Sequence, residues 1–189
     1  MERIVYWDEK LFLYLNQLGS SSYDNFWLFL TDEYYWIPVY IILIIIIFEK
    51  FGLKKSIIIL ITIGLMIAST DNIASIFKYW VQRPRPCRNP ELNGLFRLVI
   101  ENCKGNYCFF SAHAASTFAL AFYLSKLFYA KHKYTPYLFF LWAILVSYSR
   151  IYVGVHFPLD IITGAIFGLL IGWFFSKILT YIFTKYRLN

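Results

Sequence analysis

Two histidines, one carboxylate and a group of basic side chains stand out by type and spacing in the 189-residue chain. Lys78 precedes Arg83, Pro84, Arg85 and Pro86; Ser111, Ala112 and His113 form a second cluster; Ser149, Arg150, His156 and Asp160 form a third. Guanidinium groups hold phosphate oxygens through two planar donors and stay charged at any working pH, while a lysine adds a point charge. His156 and Asp160 are four apart, so on one helical turn the carboxylate reaches back to the imidazole. One ring nitrogen is then held and the other is free to act as a nucleophile. His113 can protonate a departing oxygen. Ser111 stands at the start of an apolar run, where the free N–H groups and positive dipole end of a helix favour an anion. Phosphoryl transfer, which depends on donors preset around the developing charge, is the chemistry that uses all of these groups. Taken singly, Lys78 and Arg150 read as snorkelling helix ends, His113 as a packed ring, and Asp160 as a first-turn carboxylate favoured by the dipole. Their joint placement carries the phosphate reading.

The elements that must bring these clusters together are helices. With 59% hydrophobic residues, 15% charged and a mean hydropathy of +0.55, the chain is too apolar for an ordinary soluble domain. The same figures exclude intrinsic disorder, a disulfide-dense secreted scaffold and a basic nucleic-acid-binding domain. A spanning helix needs about 20 mostly apolar residues, and five stretches approach this: 34–50, 56–77, 108–129, 134–153 and 158–183. Leu11, Leu15 and Leu18 recur at helical spacing ahead of them and predict an amphipathic helix lying in the bilayer interface. The fold expected is all-α, an integral membrane bundle of about five transmembrane helices plus that N-terminal interfacial helix, forming a single domain over 1–189. The first ten residues mix acidic and basic groups with no apolar run behind a basic start, so no secretory signal is expected and the chain is expected to begin at Met1.

Alternating spans place the three clusters at one membrane face whichever way the chain is inserted. The orientation follows from charge. Lys and Arg divide nine to nine between the two sides, but one side carries only Glu49 among carboxylates and the other carries the remaining ten. The first side, rich in dispersed lysines including Lys54, Lys55 and Lys131, is expected in the cytoplasm. The 78–107 loop and the 150–157 connection are then external.

These residues resemble the type 2 phosphatidic acid phosphatase superfamily. Its pattern is Lys, six residues, Arg-Pro; then Pro-Ser-Gly-His; then Ser-Arg, five residues, His, three residues, Asp. Lys78 with Arg85-Pro86 matches the first element, and Ser149-Arg150 with His156 and Asp160 matches the third at full spacing. The middle element reads Phe110-Ser111-Ala112-His113, with phenylalanine for the proline and alanine for the glycine. In the tandem Arg-Pro pairs the six-residue spacing selects Arg85, which leaves Arg83 to line the entrance. The resemblance implies that His156 attacks phosphorus, Asp160 orients it and His113 protonates the leaving group. It also implies that Lys78, Arg85, Ser111, Ala112 and Arg150 hold the phosphate and that no metal or other cofactor takes part. No His, Cys, Asp and Glu cluster in the sequence has metal-ligand spacing.

The expected activity is removal of a terminal phosphate from a membrane lipid at the outer face of a bacterial inner membrane. Candidate substrates are undecaprenyl diphosphate, lipid A and a glycerophospholipid phosphate. Lipid phosphotransfer through the same phosphohistidine, and an inactive lipid-binding relative, are the alternatives. The partners expected are the lipid phosphate and the bilayer, with no nucleic acid and a plausible monomer. In an external loop Cys87 and Cys103 would close a ring of about 16 residues, adding about 3 kcal/mol in the chain-entropy picture; a Cys103–Cys108 bridge and three reduced thiols are the competing arrangements. Gly164, Gly168 and Gly172 give the last helix one smooth face, expected to pack within the monomer.

Overall fold

The computed structural model describes residues 2–129 and 133–187, so Met1 and Lys131 fall outside the described residues. Six α-helices carry the described chain: α1 Glu2–Gln17, α2 Asp24–Thr31, α3 Ile37–Val81, α4 Ala112–Phe128, α5 Thr135–Tyr152 and α6 Pro158–Lys185. The β-type pairing among the described residues is an isolated antiparallel bridge between Pro84 and Tyr107. Among the described residues two segments are long and apolar enough to cross a membrane, Glu33–Val81 and Pro158–Lys185.

The stretches 34–50 and 56–77, expected as separate spans, are the two limbs of α3. A straight helix of 45 residues would run about 68 Å, more than twice a hydrocarbon core of about 30 Å. Helical geometry breaks instead at Gly52, with φ 70° and ψ 167°, a conformation that favours glycine. Ser56 Oγ donates to the Ile47 carbonyl at 3.0 Å, although nine residues of straight helix would separate the two by about 13 Å. The chain therefore bends sharply, and Ile47 and Ile59 from opposite limbs share one buried cluster with Tyr123 and Leu124 of α4 and Leu179 of α6.

Helix α4 starts at Ala112, four residues later than the apolar run at 108–129 predicts. Cys108 is drawn into the loop instead, its N–H donating to the Arg83 carbonyl at 3.0 Å, and Ser111 caps the helix by accepting from Ala114 N. The glycine face of α6 meets α4 of the same chain. A Cβ on Gly164, Gly168 or Gly172 would strike the backbone carbonyl of Ser111, Ala115 or Ala119 in turn, so the two helices touch in matched four-residue steps. This contact sets the N-terminus of α4 beside that of α6.

Helix α1 lies across the same end. Ile4, Trp7, Leu11, Tyr14 and the following Leu18 are exposed along one side, spaced as an apolar helical stripe. Asp8, Phe12 and Asn16 form the buried face. Leu15, expected on the outward stripe, instead packs against the cluster of Phe12 and Phe157. Asn16 Nδ2 donates to the carbonyls of Arg97, Ile151 and Tyr152 at 2.9–3.2 Å, and its Oδ1 accepts from Arg97 N at 2.8 Å. A helix with apolar groups outward and polar groups inward suits a surface facing lipid on one side and protein on the other.

Candidate active site

Lys78 sits in the last turn of α3, and Gln82 ends that helix in a left-handed conformation at φ 52°. The two prolines that follow keep the chain extended. The base of the 82–111 loop is pinned across itself: Arg85 N donates to Asn106 O at 3.2 Å, and Cys108 N to Arg83 O. Cys87 and Cys103 are joined as a disulfide with Cα atoms 6.4 Å apart, while Cys108 is a buried free thiol whose Sγ donates to Pro84 O at 3.2 Å. The loop thus lays Arg83 and Arg85 along the N-terminus of α4.

The third cluster is positioned by a tight return between α5 and α6. The Arg150 carbonyl accepts from Val155 N at 3.1 Å and His156 N at 3.3 Å. Gly154, at φ 87°, makes the turn and lies against Phe96 and the Arg97 carbonyl, where a Cβ has no room. Pro158 opens α6 with its ring preset for an early helical position. Asp160 Oδ2 accepts from Phe157 N at 2.9 Å and stands 3.2 Å from His156 Nδ1. Ser111 N donates to the Asp160 carbonyl at 3.1 Å, which ties the α4 and α6 starts together. Both His156 and Asp160 are buried, at 2% and 0% exposure.

Burial lowers the His156 pKa to about 4; the Asp160 carboxylate opposes that shift, and the charges of Arg85 and Arg150 add to it. The ring is therefore neutral near pH 7, with Nδ1 facing Asp160 and its other nitrogen left as a lone-pair donor. His113, one residue into α4, is half-buried and feels the charges of Arg150, Lys78 and Arg85 as well as His156. Lys78 interacts electrostatically with Arg85 and Arg150. Arg150 Nη1 donates to Thr31 Oγ1 at 2.6 Å, and Arg85 Nη1 to Val155 O at 3.5 Å. Arg85 Nε and Arg150 Nε are buried with no hydrogen-bond partner among the described residues. The Ser111 hydroxyl is buried and accepts from Ala114 N at 3.4 Å, which leaves its own proton to donate. Beside it, the first backbone N–H groups of α4, including that of Ala112, have no carbonyl earlier in the helix to bond.

The fold thus gathers Lys78, Arg85, Ser111, Ala112, His113, Arg150, His156 and Asp160 at one end of the bundle. Cys87 and Cys103 stand apart as a loop staple. Two residues sequence reasoning passed over or placed elsewhere are central here. Arg83, expected at an entrance, has Nη1 3.2 Å from Asp160 Oδ1 and 2.7 Å from Asp8 Oδ2. Asp8 also accepts from Leu159 N at 2.8 Å. Burial raises the Asp8 carboxyl above its usual range, and Arg83 partly offsets this. The signal for Asp8 was the four-residue recurrence of Asp8, Phe12 and Asn16 opposite the apolar stripe. Phe110, in the position of the family's proline, is fully buried and stacks on Phe167 at 4.7 Å and 12°, with Phe77 at 5.3 Å. It joins α3 and α6 beneath the site.

Comparison with known proteins identifies the family. The chain is 34% identical over 171 residues to a lipid A 4'-phosphatase of Bacteroides thetaiotaomicron, covering 89% of this chain and 75% of that protein. It is 32% identical over 184 residues to a lipid A 4'-phosphatase of Porphyromonas gingivalis, covering 96% and 76%. The crystal structure of Aquifex aeolicus LpxE superposes with a TM-score of 0.70 at 27% identity, covering 89% of this chain and 93% of that one. Residues 59–184 match the PAP2 superfamily, a stretch that holds the basic, serine, histidine and aspartate groups around His156, and the chain belongs to that superfamily.

Proposed function

We propose that the chain is a membrane phosphatase that removes a terminal phosphate from a lipid through a phosphohistidine intermediate, without a metal. The observation that carries this reading is the buried His156 ring, held by Asp160 beneath two arginines whose Nε–H groups have no hydrogen-bond partner among the described residues. In this reading the free nitrogen of His156 attacks phosphorus while Asp160 retains the proton on Nδ1. Lys78, Arg85, Arg150, the Ser111 hydroxyl and the backbone N–H of Ala112 hold the phosphate oxygens as charge builds. His113 protonates the leaving oxygen and then draws a proton from the water that releases phosphate.

The two limbs of α3 with α4, α5 and α6 make five crossings of a membrane in this reading, as one domain over 1–189. The site lies on the outer face of a bacterial inner membrane, at the depth of a substrate headgroup. Lipid A comes first among the substrates in this reading, ahead of undecaprenyl diphosphate and glycerophospholipid phosphates, and the likeness to lipid A 4'-phosphatases supports that order. Phosphate release by purified protein from each lipid, with His156→Ala as control, tests this; the highest rate is expected on lipid A. Binding of phospholipid with no release from any lipid phosphate would make the chain an inactive relative. Transfer of labelled phosphate to an acceptor lipid would make it a phosphotransferase.

A further inference from the structure

Asp8 lies 152 positions before Asp160, on a helix whose outward side is apolar, yet one guanidinium joins the two carboxylates. Arg83 Nη1 is 2.7 Å from Asp8 Oδ2 and 3.2 Å from Asp160 Oδ1, and its Cζ rests 3.8 Å over the Phe157 ring. Asp160 Oδ2 in turn faces His156 Nδ1. The other oxygen of Asp8 accepts the Leu159 N–H, one of the donors that the first turn of α6 leaves unpaired. α1 therefore caps the helix that bears Asp160 and supplies a counter-charge to the cation resting on it. Asp8, Arg83 and Asp160 are all largely buried, so their charges act on one another with little screening by water.

We propose that Asp8 is a positioning residue for the phosphatase reaction. Through Arg83 it sets how much negative charge Asp160 presents to His156, and hence how basic and nucleophilic that ring is. The inference rests on the phosphatase reading of the site. Arg83 alone would draw charge from Asp160 and weaken its hold on the His156 proton; Asp8 cancels that pull. The groups facing His156 are Asp160 from α6, Arg85 from the loop and Arg150 from α5, with His113 of α4 and Lys78 of α3 beyond them. Around Arg83 stand Asp8 and Glu9 of α1 and, across Asp160, Cys108. Of Asp8, Glu9 and Cys108, it is Asp8 that both pairs with Arg83 and caps α6.

Opposite charge changes must then move His156 in opposite directions. Asp8→Asn keeps an oxygen for Leu159 N–H but adds one net positive charge, so the titration of His156 moves to lower pH. Arg83→Gln removes the positive charge that rests on Asp160 and moves it up, by about one pH unit. The double variant restores the balance and returns the titration toward that of the unmodified protein. The experiment is an NMR titration of the ring carbon in histidine-labelled protein in micelles, the chain having three histidines, run beside kcat and KM for lipid phosphate release. Expected are opposed shifts that cancel in the double variant, with a loss of about tenfold in kcat for Asp8→Asn and KM little changed. Arg83→Lys, which keeps the charge, is expected to hold the titration in place even if folding yield falls. Shifts in the same direction, or no shift in either single variant, overturn the proposal and leave Asp8 a cap alone. If the unmodified protein releases no phosphate, the phosphatase reading fails while the titration still decides the charge coupling.

Discussion

The proposed mechanism gives His113 and His156 unlike tasks, and their surroundings differ. His156 is buried against a carboxylate, whereas His113 is half-buried at a helix start among cations. As proton donor to the leaving oxygen, His113 matters in proportion to how poor that oxygen is as a leaving group. His113→Ala is expected to lower kcat on a lipid phosphate by about 10²–10⁴-fold and to lose far less on p-nitrophenyl phosphate, whose leaving group departs unprotonated; equal losses on both would remove the general-acid role. Vanadate, which takes up five-coordinate geometry, should inhibit the unmodified protein. His156 sets the acid side of the pH profile. Its folded pKa of about 4 lies below the unfolded value of about 6.5, so the folded ring binds fewer protons over that window. The nucleophile should stay unprotonated, and the rate limb attributable to it should lie below pH 6.5. The same sign governs stability: the contribution of this group is intact above about pH 6.5 and is lost as pH falls toward 4. Melting in detergent at pH 7 and pH 5 is expected to show a smaller drop for His156→Gln than for the unmodified protein.

The contact between α4 and α6 fixes the distance between those two histidines, because each sits within two residues of a helix N-terminus. Gly168 meets Ala115 backbone with no space for a Cβ, and backbone cannot rotate aside as a side chain can. Gly168→Val is expected to lower stability by about 1–3 kcal/mol and to lower kcat, since separating the helices moves His156 from His113. Gly64→Ala on α3, where a Cβ meets nothing within 4 Å, is expected to be neutral or stabilising by up to about 1 kcal/mol. Thermal melts of both variants check the pair. At this scale much was legible from sequence: α5 and α6 fall where charge-bounded apolar runs put them, and the glycine spacing of α6 announced a close contact. The α4 start was misplaced because Cys108 to Phe110 are apolar, and only the loop's pairing with Arg83 shows that they are not helical. That the eight expected groups meet at one end of the bundle was legible, because Lys78 and Arg150 lie in the last turns of α3 and α5, Ser111, Ala112, His113 and Asp160 at the starts of α4 and α6, and Arg85 and His156 in the adjoining connections. Their supports were not, because they are remote in the chain. Arg150 takes Thr31 across 119 positions, and Leu159 takes Asp8 across 151; no local periodicity encodes such pairs.

At the scale of the molecule, the two ends differ in how charge is held. At the site end, Arg83 and Arg97 are engaged by Asp8, Asp160 and Asp24, and Arg85 and Arg150 are turned into the cluster around His156. At the far end, Lys50 sits over Phe128, Lys55 over Phe183 and Lys126 over Phe122, cations resting on aromatic surface. Basic residues committed to a site count little toward insertion, whereas dispersed lysines flanking apolar helices retain their full weight in the positive-inside bias. In the proposed orientation the nine-to-nine division of Lys and Arg is therefore weighed toward the lysine-rich end as the cytoplasmic one. Single cysteines report this directly, since the native Cys108 is buried and Cys87 and Cys103 are paired. Asn93→Cys, on the exposed loop of the site end, is expected to react with a membrane-impermeant maleimide in spheroplasts. Lys54→Cys, on the exposed bend of α3, is expected to react only after the membrane is opened. The reverse pattern would put His156 on the cytoplasmic face and restrict its substrates to lipids of that leaflet, while leaving the phosphoryl chemistry of the site untouched.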